Sequence, residues 1–216
     1  MAVIFDLDGT LIDNNSYHIK AWQKFYKKRN RILTEEEYKK HFNGKTNADV
    51  LAYVFDQPLT LQQKDNYTNE KEDLYRKIYE PDIKPVKGLL NLLNQLEEAN
   101  IPMAIATSGI EVNINYMFKH IPIKHFFKEV INSTHIKKGK PDPEIYFITA
   151  KKLNVSPENC VVFEDSVAGI QSAKDAGMKV IAIATTHTPT ELKLADKLIY
   201  DYDEISLTDI YELLKG

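Results

Sequence analysis

Cysteine is almost missing from this chain: Cys160 is the only thiol in 216 residues. A lone thiol excludes an intramolecular disulfide, and Cys160, running into Val161 and Val162, reads as a small buried hydrophobe. A reducing cytoplasm is the expected setting. Long apolar runs are also missing. Asp6 interrupts the first one, and no later stretch approaches membrane-spanning length, so a soluble, unexported protein with no membrane partner is expected. An excess of positive charge is lacking too. A net charge of −3 and a pI near 6.1 argue against a general nucleic-acid binder. The most basic stretch, Lys27-Lys28-Arg29-Asn30-Arg31, lies where a helix should end and reads as a solvated terminus whose cations suit the dipole. There is no internal repeat and no low-complexity tract. What remains is a chain long enough to bury about 70% of its unfolded surface without a disulfide or structural metal.

Two textures alternate along it. From Asn14 to about Glu80 the chain is rich in Lys, Glu, Asn and Tyr and carries helical patterns only. Tyr17, Trp22, Phe25 and Tyr26 give one helix, and Thr34-Glu35-Glu36-Glu37 reads as a capping box opening a second. Residues 47–55 and 61–79 supply two more, before Pro81 and Pro85 break helical continuation. Elsewhere short apolar strands alternate with helices: strands at 2–4, 103–106, 130–131, 160–163 and 180–184, helices at 88–99, 112–119, 143–153 and 167–176. That alternation predicts an α/β fold, a doubly wound parallel sheet covered on both faces, with the helical segment inserted after the first strand. The expected boundaries are residues 1–14 and 82–216 for the α/β core and 15–81 for the helical insert.

In open parallel sheets ligands bind beyond the carboxyl ends of the strands, so the residues just after each strand are where chemistry is expected. After Ala2-Val3-Ile4 comes Phe5-Asp6-Leu7-Asp8-Gly9-Thr10: two carboxylates at a turn, suited to attacking an electrophile or holding a cation. After the second strand, Thr107-Ser108-Gly109 offers hydroxyls and backbone N–H groups near a helix start, which read equally as an anion cradle or as a plain N-cap with a turn glycine. Beyond Val130-Ile131, Lys140 is restrained by Pro141, whereas Lys137 and Lys138 carry no such restraint. The fourth strand ends in Glu164-Asp165-Ser166. Two acids ending a buried strand suggest a hard cation held by oxygen ligands. With no His or Cys at comparable positions, Mg2+ suits them better than Zn2+.

These motifs, Asp6-Leu7-Asp8-Gly9-Thr10, Thr107-Ser108-Gly109, Lys140-Pro141-Asp142-Pro143 and Glu164-Asp165-Ser166, resemble in order and spacing the four motifs of the haloacid dehalogenase superfamily. More narrowly, the chain resembles the helical-cap subgroup of sugar-phosphate phosphatases and β-phosphoglucomutases. The resemblance implies Asp6 as a nucleophile taking up the phosphoryl group and Asp8 as general acid, then base. It implies Mg2+ held by Asp6, the backbone carbonyl of Asp8, Glu164 and Asp165, and phosphoryl oxygens bound by Thr107, Ser108, Gly109 and Lys140. Because Asp8 is present, phosphate-ester chemistry is expected, with a small phosphorylated metabolite as the partner.

The insert must then decide between water and a sugar hydroxyl as acceptor. Tyr17-His18-Ile19-Lys20-Ala21-Trp22 resembles the first cap helix of the subgroup, although His18 and Trp22 read as readily as packing residues. Lys71 is similar to a cap lysine that reaches the substrate in relatives, and it also reads as a solvated helix lysine. The loop Gly44-Lys45-Thr46-Asn47 lies where mutases carry a phosphate-binding arginine; here Asn47 holds that place and Lys45 replaces its charge only in part. A phosphatase is therefore expected ahead of a mutase, with an inactive metabolite- or protein-binding member as the remaining alternative. Oligomeric state is left open, a monomer being compatible with the sequence.

Overall fold

A computed structural model describes residues 1–42 and 45–215; Gly44 of the loop named above lies outside the described residues. The chain divides into two compact units, Met1–Asp13 with Lys84–Gly216, and Asn14–Ile83.

The first unit is built on a six-stranded sheet: β1 (Ala2–Phe5), β2 (Met103–Ala106), β3 (Phe127–Ile131), β4 (Cys160–Glu164), β5 (Lys179–Ile183) and β6 (Lys197–Ile199). The order is β3-β2-β1-β4-β5-β6 and every pairing is parallel. β1, β2 and β4 are buried along their whole length, which is why they read as unbroken apolar runs rather than as alternation. Successive residues serve opposite faces of the sheet. Ala2, Ile4, Cys160, Val162, Val180 and Ala182 pack with α7 (Glu144–Leu153) and α8 (Val167–Asp175) through Ile145, Tyr146, Ile170 and Ala173. On the other side Phe5 stacks on Phe163, its register partner, at 5.0 Å, and Tyr202 closes over both. The unit is completed by α5 (Leu89–Glu98), α6 (Glu111–His120) and α9 (Leu207–Lys215).

From β1 the chain winds outward through β2 and β3, then returns to β4 on the other side of β1 and continues through β5 to β6. The direction of winding therefore reverses between β1 and β4, and at such a reversal the loops beyond two adjacent strand ends diverge and leave a crevice. Asp6 follows β1 directly and Glu164 is the last residue of β4.

The second unit holds α1 (Asn15–Lys27), α2 (Glu35–His41), α3 (Asn47–Phe55) and α4 (Leu61–Tyr79) around an aromatic core of Trp22, Phe25, Tyr26, Tyr38 and Phe42. Trp22 meets Phe25 and Phe42 edge-on, as a packing residue does. The capping box falls elsewhere than the sequence suggested. Thr34 accepts from the Glu37 N–H, but Glu37 takes the Tyr26 and Tyr53 hydroxyls and does not reach back. The reciprocal pair is Thr60 with Gln63, opening α4. Among the described residues no helix is long and apolar enough to cross a membrane.

Candidate active site

Three strand ends deliver charge to one point. Lys140 Nζ donates to Asp6 Oδ1 at 2.6 Å, to Glu164 Oε1 at 2.6 Å and to the Ala106 carbonyl, the end of β2, at 3.2 Å. All three ammonium hydrogens are thereby used. Lys140 is 3% exposed, Asp6 6%, Glu164 0% and Asp165 3%, so three buried acids face one buried lysine. That imbalance sets the electrostatics. Burial is the largest influence on Asp6; Lys140 pulls the other way and Glu164 adds to the rise, so its carboxyl is pushed up to about 8. Burial likewise raises Asp165, with Glu164 and Asp6 adding repulsion. Burial disfavours the Lys140 ammonium, yet Asp6 and Glu164 outweigh it and the lysine is held well above its ordinary value. The two partners fit one picture: the acids favour the charged lysine, while burial and mutual repulsion disfavour charge on Asp6 and Asp165 together.

The metal group that the resemblance implies is Asp6, Glu164 and Asp165 with the backbone carbonyl of Asp8. Among the described residues no three Asp, Glu, His or Cys side chains form a group that could hold a metal ion. Glu164 is engaged with other donors. Its Oε1 accepts from Lys140 and from Tyr146 Oη at 3.0 Å, and its Oε2 accepts from the Asp165 and Ser166 N–H groups and from Ser166 Oγ. A carboxylate so engaged has no lone pair left for a cation. Asp165 is different, because its buried Oδ2 has no hydrogen-bond partner. A buried carboxylate oxygen without a donor is costly unless a cation meets it. Mg2+ therefore fits the oxygen-only set of Asp6, Asp165 and the Asp8 backbone carbonyl, and would relieve the surplus charge.

Two glycines make this packing possible. Gly9 has φ +82°, and a Cβ there would lie 2.2 Å from Asp165 Oδ2. A Cβ on Gly169 in α8 would lie 1.7 Å from Glu164 Oε1, so the helix can approach the acid only through a bare backbone. Ser166 caps the same helix, accepting from the Gly169 N–H at 3.0 Å.

In the loop after β2, Thr107 Oγ1 accepts from the Gly109 N–H at 2.9 Å. Gly109 thus spends its donor on Thr107, and what it contributes is the absence of a side chain. A Cβ there would lie 3.2 Å from Thr107 Oγ1 and 3.6 Å from Asp8 Oδ2, which puts the second acid beside this loop. Asp6, Asp8, Thr107 and Lys140 are accordingly brought together, and Ser108 follows Thr107 in the same loop.

The helical unit has a polar cluster of its own. Lys71 Nζ lies 2.7 Å from His18 Nδ1 and donates to Glu72 Oε1 at 2.9 Å; Asn47 Nδ2 donates to the same Glu72 oxygen at 2.8 Å. His18 stacks on Tyr75 at 3.9 Å, and Lys71 sits 5.3 Å over the Trp22 ring. Lys71, read as either solvated or substrate-reaching, is 2% exposed. Lys45 is half-buried. Glu72, Tyr146 and Asn14, whose Nδ2 donates to Tyr75 Oη at 2.6 Å, are among the polar residues that the motifs did not point to.

Comparison with known proteins gives consistent relatives. The family model of haloacid dehalogenase-like hydrolases matches residues 3–183. A phosphorylated carbohydrates phosphatase of Thermotoga maritima is 30% identical over 83% of this chain and 83% of its own length. The β-phosphoglucomutase of Bacillus subtilis is 31% identical over 84% of this chain and 82% of its own. A crystal structure of a family IA, variant 3 hydrolase from Entamoeba histolytica superposes with a TM-score of 0.89 at 36% identity, covering 100% of this chain and 99% of that one.

Proposed function

This chain belongs to the haloacid dehalogenase-like hydrolase family, and on that footing we propose that it is a Mg2+-dependent phosphatase acting on a small sugar monophosphate through an aspartyl phosphate on Asp6. The observation that carries the reading is the 2.6 Å pairing of Lys140 with Asp6 among buried acids at the β1/β4 reversal. An acid and a lysine so placed can attack phosphorus and hold the oxygens that gain charge.

In the first half-reaction an Asp6 oxygen bonds to phosphorus while the bond to the ester oxygen breaks, and Asp8 gives its proton to that leaving oxygen. In the second, Asp8 takes a proton from water as the water oxygen attacks phosphorus, freeing Asp6 and orthophosphate. Lys140, Thr107 and the Ser108 backbone hold the transferring oxygens. Asp6, Asp165 and the Asp8 carbonyl would hold Mg2+, which when bound lowers the charge repulsion between carboxylate and phosphate dianion.

The choice of water over a sugar hydroxyl rests on the helical unit. A mutase must retain a second phosphate during turnover, and that calls for cationic donors with no acid already on them. Here Asn47 and Lys71 both donate to Glu72, which is 3% exposed. A cluster already paired internally suits the hydroxyls of a neutral polyol better than a second dianion. The test is a panel of phosphate esters, including β-glucose 1-phosphate with its bisphosphate, assayed for free phosphate and isomerised sugar. Phosphate release dependent on Mg2+ is expected, and glucose 6-phosphate formed faster than phosphate would overturn the assignment in favour of the mutase.

A further inference from the structure

Tyr146 has no part in the motifs, yet its hydroxyl is turned into the charged centre. It lies on α7, fully buried, and donates to Glu164 Oε1 at 3.0 Å, while Lys140 Nζ stands 5.1 Å over its ring. Lys140 and Tyr146 therefore share one oxygen of Glu164 and constrain each other through it. The other oxygen is held by the start of α8: two backbone N–H groups and Ser166 Oγ. Turning Glu164 toward a cation would strip Lys140 and Tyr146 of an acceptor and leave the Asp165 and Ser166 amides unpaired in the interior. Gly169, whose α-carbon crowds the same carboxylate, leaves it little room to swing.

We propose that Glu164 is a holder of Lys140 and not a metal ligand, and that Tyr146 is a positioning residue that fixes Glu164 in that role. The inference rests on the phosphatase reading for its kinetic consequence and on geometry alone for its metal consequence. Lys140 has a flexible four-carbon stem; it is the fixed Glu164, with the Ala106 carbonyl, that aims its ammonium at Asp6. Removing the Tyr146 hydroxyl frees Glu164 to shift, and the lysine shifts with it.

The test uses the full chain, Mn2+ as the metal probe and an aryl phosphate as substrate. Tyr146→Phe should lower kcat about tenfold, the usual cost of losing an outer support, with KM and the Mn2+ dissociation constant nearly unchanged. Glu164→Gln should likewise leave Mn2+ binding close to wild type, whereas Asp165→Asn should weaken it by about tenfold or more. In the double variant, Tyr146→Phe should add nothing to Glu164→Gln, because it acts through that carboxylate. Three results would overturn the proposal: Mn2+ binding lost as fully in Glu164→Gln as in Asp165→Asn, wild-type kcat in Tyr146→Phe, or costs that multiply in the double variant. Should Tyr146→Phe fail to fold, the comparison of Glu164→Gln with Asp165→Asn decides by itself. A wild-type chain that releases no phosphate would sink the phosphatase reading, while the Mn2+ titrations would still decide where Glu164 belongs.

Discussion

Replacing Asp6 by Asn should stop turnover and at the same time make the metal-free protein harder to melt. In the folded chain the Asp6 carboxyl is pushed from 3.8 up to about 8, burial being the main cause. An acid raised in this way is protonated in both states at pH below 3.8. As pH climbs toward 8 the unfolded chain releases the proton while the folded chain retains it, so stability falls across that window. Each tenfold change in proton affinity is worth about 1.4 kcal/mol, so the full penalty at pH 8 is on the order of 5 kcal/mol. The attraction of Lys140 is already contained in that net rise, and an Asn amide is as neutral as the protonated acid, so most of the penalty is recovered by the variant. A gain on the order of 5 kcal/mol at pH 8 corresponds to about 10–20 °C in melting temperature for a chain of this length. Thermal melts in chelator at pH 4 and pH 8 provide the assay. The variant should match wild type at pH 4 and exceed it at pH 8. An Asn variant that melts no higher at pH 8, or one with the same difference at both pH values, would refute the reasoning.

Other substitutions probe other parts of the account. Glu72→Gln removes the acid that Lys71 and Asn47 share, and should shift the kcat/KM ratio toward doubly phosphorylated esters by about tenfold while lowering it for neutral-ended sugar phosphates; an unchanged ratio would count against the charge argument. Gly169→Ala places a methyl 1.7 Å from Glu164 Oε1 and should abolish activity together with a clear loss in melting temperature, read by calorimetry. Thr60→Ala removes the capping box of α4 and should cost about 1 kcal/mol in urea unfolding, with kcat unaffected.

The strand-end logic made the α/β unit readable from sequence because its information is local. Asp6, Thr107 and Glu164 each follow or end a run whose apolar character marks a buried strand, and parallel topology collects such ends on one edge of the sheet; Lys140 comes from the loop beyond β3, a less apolar strand, and is marked by Pro141 instead. What escaped has physical causes. β6 is three residues, Lys197–Ile199, too short for a pattern, while Leu207–Lys215 does carry a helical spacing, Leu207, Ile210 and Leu214 behind Ser206, that could have revealed α9. Glu72 sits among Lys, Asp and Glu on a helix and looks solvated; only tertiary burial beside Lys71 and Asn47 reveals it. Tyr146 looks like any core aromatic, since nothing local says that its hydroxyl meets Glu164. Glu164 itself misleads because adjacent acids suggest a cation, whereas the competing donors come from α7, α8 and the Lys140 loop.

The most direct test of the central claim is to catch the phosphoryl group on the protein. Asp8→Asn lacks the base that activates water, so after incubation with Mg2+ and an aryl phosphate, whose leaving oxygen needs no proton from Asp8, it should accumulate an acid-stable, alkali-labile phosphoryl adduct. Mass spectrometry of the digest should place that adduct on the peptide carrying Asp6, and the Asp6→Asn, Asp8→Asn double variant should show none. Phosphate release by the wild type with no adduct on Asp6, or an adduct on another residue, would contradict the account.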